Sequence, residues 1–158
     1  MQYAEIVREE LQDLAQRIAD NIARNGQAAS GKTQQSLHVE EDTDSVTLYG
    51  RKAFETLERG VPPLGDRIQT RTFAHILHRW SMEKGIAFSD DKERWSFAFA
   101  LAKKIKSKGS QLYRDRGRTD VYSNEIPTTI ERIRKRISRA FKIFVESITL
   151  NKNEDNND

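Results

Sequence analysis

Apolar residues recur at helical spacing in four stretches of the chain. Ile6, Leu11, Leu14, Ile18 and Ile22, widened by Val7, Ala15 and Ala19, predict an amphipathic helix over residues 5–25, with Asn25-Gly26 as its stop. Phe73, Ile76, Leu77 and Trp80 predict a helix over roughly 70–83, closed by Gly85. Trp95, Phe99, Ala102 and Ile105 mark a helix that starts near Asp90 and ends at Gly109. Asp90 and Glu93 stand at its start in the spacing of a capping box. Ile130, Ile133, Ile137, Phe141, Phe144 and Ile148 form the longest stripe, and Pro127 sits at its first turn, where proline is tolerated. This stripe is expected to be buried, in the subunit core or against a partner.

Period-two patterning appears in one place. Leu37-His38-Val39 and Val46-Thr47-Leu48-Tyr49 read as two strands joined by the polar turn Glu41 to Ser45. A short helical piece over 53–58 follows. Val61-Pro62-Pro63 then forces extended chain. Residues 110–124 show no period and read as a long loop, with Val121-Tyr122 as a candidate third strand. These elements predict one α+β domain over residues 1–150: a small antiparallel sheet, a hairpin plus that extra strand, packed with about four main helices. Residues 151–158 read as a disordered acidic tail.

Composition narrows the chemistry. The 158 residues contain no cysteine, so disulfides and thiolate metal sites are excluded. No apolar signal region or membrane-length run is seen, which leads us to expect a protein made and kept on the cytoplasmic side. Net charge is +3, but it is polarised. Residues 1–60 carry 7 basic and 11 acidic side chains, 61–150 carry 19 and 10, and 151–158 carry 1 and 3. An acidic end and a basic end suit head-to-tail docking between copies, a basic end facing nucleic acid, or simply solvated helix faces.

Three motifs bear on function. GQAASGKT, from Gly26 to Thr33, matches the phosphate loop G-x-x-x-x-G-K-[ST]. A phosphate loop works between a buried strand and a helix. Here a helix is predicted before it and a strand soon after, so a flexible linker is the better reading. His75 and His78 have a spacing found in helical metal sites, with Asp66 and Glu83 as the nearby acids, but surface or core histidines are commoner. No Ser-His-Asp order or paired carboxylates stand out.

The densest signal is KKIKSKGSQLYRDRGR. Lys103, Lys104, Lys106, Lys108, Arg114, Arg116 and Arg118 face one acid, Asp115, and Gly109 and Gly117 suggest a pliable loop. Such a segment suits a phosphate backbone, the acidic half of a neighbouring subunit, or solvent.

Residues 29–63, with SGKTQQSLHVEE and VTLYGRKAFETLERGVPP, resemble the neck and tail-completion (head–tail joining) proteins of tailed bacteriophages. The segment KKIKSKGSQLYRDRGRTDVYSNEI resembles them too. In that light Ser30-Gly31-Lys32-Thr33 and Ser36-Leu37 lead into the hairpin, and Glu58-Arg59-Gly60 is a midpoint turn. The resemblance implies a structural virion protein, made in the host bacterial cytoplasm, that forms an oligomeric ring at the head–tail junction or the top of the tail. It implies no catalysis, no cofactor and no membrane. The implied partners are further copies, other phage neck and tail proteins, and non-specific contact with genome DNA. The alternative reading is a basic nucleic-acid-binding regulator, although no helix-turn-helix signature supports it.

Overall fold

The computed structural model describes residues 2–154, and the side chains of residues 3–147. The chain runs α1 (Gln2–Arg24), α2 (Lys32–Gln35), β1 (His38–Glu41), β2 (Val46–Tyr49), a 3-10 turn (Lys52–Glu55), α3 (Thr56–Arg59), a second 3-10 turn (Gly65–Arg67), α4 (Thr70–Glu83), α5 (Asp91–Lys108), α6 (Gln111–Arg114) and α7 (Glu125–Glu154). It is a helix-rich α+β fold, and its sheet has two antiparallel strands among the described residues. No helix among the described residues is long and apolar enough to cross a membrane.

The helix ends follow local chemistry. After α1, Gly26 adopts φ 64°, its N–H donates to Ala23 O, and Gln27 N–H donates to Ile22 O. This is a Schellman stop, which needs a left-handed residue. Gly85 closes α4 in the same way at φ 70°. The capping box at α5 forms: Glu93 N–H donates to Asp90 Oδ1 at 2.7 Å, and Ser89 N–H donates to Glu93 Oε2 at 2.8 Å.

Two apolar clusters form. One joins Leu14, Ile18 and Ile22 of α1 to Val121, with Leu37, Leu48, Phe54, Leu57 and Tyr122 around them, so the hairpin lies on α1. The strands pair with Val39 opposite Leu48 and Glu41 opposite Val46. The other cluster joins Ala74 and Leu77 of α4 to Ala98, Ala102 and Ile105 of α5, where the alanines let the two helices approach closely.

Two sequence expectations change here. Val121-Tyr122 is not a strand: it lies in a turn leading into α7, and Val121 fills the α1 cluster from there. The acidic tail begins as helix, because α7 continues through Asn151 to Glu154; residues 155–158 lie outside the described residues.

The charge split is largely satisfied within one chain, because α7 packs along α1 through ion pairs. Arg132 lies 2.9 Å from Asp13 and 3.0 Å from Glu10, although its Nε–H does not point at that Glu10 oxygen. Arg136 reaches Glu9 at 2.6 Å and Glu10 at 3.1 Å, and Arg17 reaches Glu125 at 2.9 Å. Thr129, buried, accepts from Arg17 Nη2 at 2.8 Å. Glu9, Glu10 and Asp13 of α1 are therefore engaged within the chain, whereas Glu5 and Asp20 of the same helix are exposed. The hairpin turn is the densest group of exposed acids, with Asp20, Asp66 and Glu83 among those exposed elsewhere.

Candidate assembly surfaces

The middle of the molecule is tied together at Glu58. This residue is 3 % exposed, yet it is a carboxylate. Its Oε1 accepts from the backbone N–H groups of Val121, Tyr122 and Ser123 at 3.0, 2.7 and 2.9 Å, and Oε2 accepts from the Ser123 hydroxyl. Burial pushes its carboxyl up, but the Ser123 hydroxyl and the three amides outweigh burial and hold it below the ordinary carboxylate value. The Glu58 carbonyl also accepts from Arg118 N–H at 2.9 Å.

This close approach explains two glycines. A Cβ on Gly60 would lie 2.4 Å from the Tyr113 nitrogen, and one on Gly117 would lie 2.6 Å from the Glu58 oxygen. Both also have φ above 70°. Gly117 is thus packed against α3, and the reading of a pliable basic loop is corrected.

The seven basic residues are not one surface. Lys103, Lys104, Lys106 and Lys108 belong to the last two turns of α5 and are held on a rigid helix. Lys106 donates to Thr70 Oγ1 at 3.2 Å, whereas Lys103, Lys104 and Lys108 are exposed. Arg114 donates to the Gly109 carbonyl at 2.6 Å and to Gln111. Arg118 makes a two-pronged pair with Asp120 at 2.5 and 2.7 Å, which holds the Asp120 carboxyl below its usual value. Arg114 and Arg118 thus serve local structure. Arg116 lines a cleft of 470 Å³ between α3 and α6 with Glu55, Arg59, Gly60, Pro62 and Tyr113, whereas Lys103 and Lys106 line a separate hollow beside Asp66 and Thr70.

The long stripe of α7 divides along its length. Ile133 and Ile137 are half-covered and Ala140 is buried against the rest of the subunit. Beyond them Phe141, Ile143 and Phe144 are 57, 59 and 55 % exposed, and Ile126 and Ile130 are exposed nearer the start. At 100° per residue, Phe141 and Phe144 share one face and Ile143 widens it, while Lys142 and Glu146 pair on the opposite side. The burial expected of the stripe within the subunit therefore stops at Ala140, because α1 has run out. The Ile148 side chain lies outside the described residues.

The phosphate-loop motif follows a helix rather than a strand, and its Lys32 and Thr33 open the one-turn helix α2, after which comes a strand. Its first carbonyls, Gly26 O and Ala28 O, accept from Lys84 Nζ. A lysine is thus tied to the loop's oxygens, the reverse of a loop that offers amides to phosphate. We expect Lys32→Ala to leave the melting temperature within about a degree of wild type, since Lys32 is an exposed surface residue. We also expect neither protein to bind ATP or GTP in calorimetry, and magnesium-dependent binding lost in Lys32→Ala would refute this. His75 and His78 both lie against Trp95, with ring centroids 4.6 and 4.0 Å away, and His78 Nε2 is 2.7 Å from Asp91.

Glu58 was not singled out by sequence pattern for this role. Glu58 carries one weak signal: an acid directly before Arg-Gly and a proline pair. Arg116 was one of the seven basic residues, but nothing local separates it from Arg114 and Arg118, and its left-handed φ of 67° belongs to the turn it closes. No protein-family model matches the chain, and no curated protein or solved structure matches it.

Proposed function

We propose that this protein is a structural subunit of a tailed-phage virion: a neck or tail-completion protein that assembles into a closed ring at the head–tail junction or the top of the tail. The observation that carries the reading is the end of α7. Phe141, Ile143 and Phe144, each more than half exposed, leave a broad apolar face there, opposite the Lys142–Glu146 pair. A contiguous exposed apolar face of this kind marks an interaction surface, and a neighbouring copy would cover it. The resemblance of residues 29–63 and 103–126 to head–tail joining proteins supplies the identity of the assembly. The fold suits the role: a small hairpin clamped on one long helix, and rigid helical arms around it. In such a particle Lys103, Lys104 and Lys108 face either a neighbour or the DNA channel.

The reading of a basic nucleic-acid regulator draws support from those three exposed lysines. It is weakened because Arg114 and Arg118 are engaged locally and Arg132 and Arg136 are paired with α1. The test is negative-stain imaging and mass photometry of the purified full chain at low and moderate salt. Closed rings of uniform mass are expected. A monomer at every concentration, with salt-sensitive DNA binding, would overturn the ring in favour of the regulator.

A further inference from the structure

Resting on the ring reading, we propose that the cleft between α3 and α6 is a socket for the acidic hairpin tip of a second copy. Arg116 is the group that would meet a ligand. Its side chain makes no hydrogen bond or ion pair among the described residues, and it lines the cleft beside Arg59, Tyr113 and Pro62. Arg59 is itself highly exposed and shared with Glu55 at 3.2 Å.

The backbone at Arg116 adds a second, independent observation. Gly117 N–H donates to Leu112 O and Arg116 N–H donates to Tyr113 O, so α6 ends in a Schellman motif with Arg116 in its left-handed position. The equivalent positions after α1 and α4 are Gly26 and Gly85. α6 alone places a long cation where glycine is at ease. Strain of this kind is kept where a side chain has work to do.

The hairpin tip is the complementary part. Glu40, Glu41, Asp42 and Asp44 fall within five residues, all exposed. Only Arg8, 3.8 Å from Glu41, and His38, 3.0 Å from Glu40, offset them, and the Asp44 side chain has no partner among the described residues. Glu9, Glu10 and Asp13 of α1 are matched by α7, whereas these are not.

Tip and cleft also lie at opposite ends of the same helix. The tip sits by the α1 N-terminus, where Arg8 meets Glu41 and where Tyr3 and Val7 share a hollow with Asp42 and Asp44. The cleft sits past the α1 C-terminus, where Gln27 Nε2 donates to the Leu57 carbonyl at 2.7 Å. At 1.5 Å per residue, Arg8 and Arg24 are about 24 Å apart. A subunit with an acidic plug at one end and a cationic socket at the other docks head to tail, the heterologous geometry that closes a ring. Opposite charge then fixes orientation and rejects tip-to-tip contact.

The test is a charge swap read by mass photometry of the full chain, with circular dichroism on every variant. Arg116→Glu is expected to raise the concentration for half-assembly by roughly tenfold or more, as is the pair Asp42→Arg with Asp44→Arg. Combining the swaps is expected to recover most of that loss. Arg116→Gly removes the charge and relaxes the backbone, so it should keep or raise the melting temperature and still weaken assembly. Wild-type rings that persist unchanged in Arg116→Glu would overturn the socket and leave the ring reading standing. So would two folded single-site variants that fail to recover in combination. Loss of DNA retention with intact assembly would give the cleft to nucleic acid and also overturn the proposal. A wild type that never assembles would instead remove the ring reading on which the socket rests.

Discussion

Glu58→Ala is expected to lower the subunit's unfolding free energy by about 3–5 kcal/mol, read from urea denaturation at low protein concentration. The carboxylate satisfies three backbone amides and a hydroxyl in a region where Val121 is 0 % exposed. Its removal strands those donors away from water, at about 1–3 kcal/mol for each one that stays buried. It also opens a cavity beneath the turn that delivers Val121 to the α1 cluster. Against a typical total of about 5–15 kcal/mol this is a large share. Glu58→Gln keeps one acceptor oxygen but loses the charge, and about 1–3 kcal/mol is expected. A loss below about 1 kcal/mol for the alanine variant would show that the turn before α7 is held by something else.

The same residue gives a pH dependence of definite sign. Glu58 and Asp120 both have carboxyls held below the ordinary value in the folded chain, so folding favours their ionised forms. Their contribution is fully present above the unfolded carboxylate range, near pH 4, and is lost as pH falls through their lowered folded values. Protonating Glu58 would break its acceptance from the amides. Glu58→Gln should therefore flatten the acid limb of a stability–pH curve. An acid limb as steep in the variant as in the wild type would assign acid sensitivity elsewhere.

What the sequence made legible depended on period and on capping chemistry. The stripe on α1 and the Asp90–Glu93 box are local signals, and each produced an element close to where it was read. The hairpin was visible because Val46 and Leu48 alternate with polar neighbours. The stretch 110–124 carried no period, because contacts far away in the chain shape it: the Glu58 carboxylate beneath Val121 to Ser123, and the Glu58 carbonyl pressing on Gly117. The charge split was visible as a count but not as a geometry. Nothing local says that Arg132 and Arg136 meet Glu10 across more than 120 residues of chain. Nor could spacing say where α1 stops covering α7, since that depends on the two helices running antiparallel with unequal lengths of 23 and 30 residues.

That inequality sets the effect expected of the α7 end. Phe141→Asp with Phe144→Asp should leave the isolated subunit within about 0.5 kcal/mol of wild type, because both side chains are already more than half exposed. Ala140→Asp, one residue away, puts a charge into a buried site against α1 and should unfold the helix pair. The order reverses in the assembly. Full burial of a phenylalanine is worth about 1.5–3 kcal/mol, and roughly half of that remains to be gained at each exposed position. The two together supply about 1.5–3 kcal/mol per contact, before the added cost of burying two aspartates. The double variant should thus weaken subunit association by roughly a hundredfold or more while folding normally. Mass photometry and denaturation on the same samples separate the two effects. Normal assembly of the double variant would show that α7 ends in solvent. A subunit as unstable as Ala140→Asp would show that the phenylalanines are packed within one chain, and the case for a neighbouring copy would lose its main support.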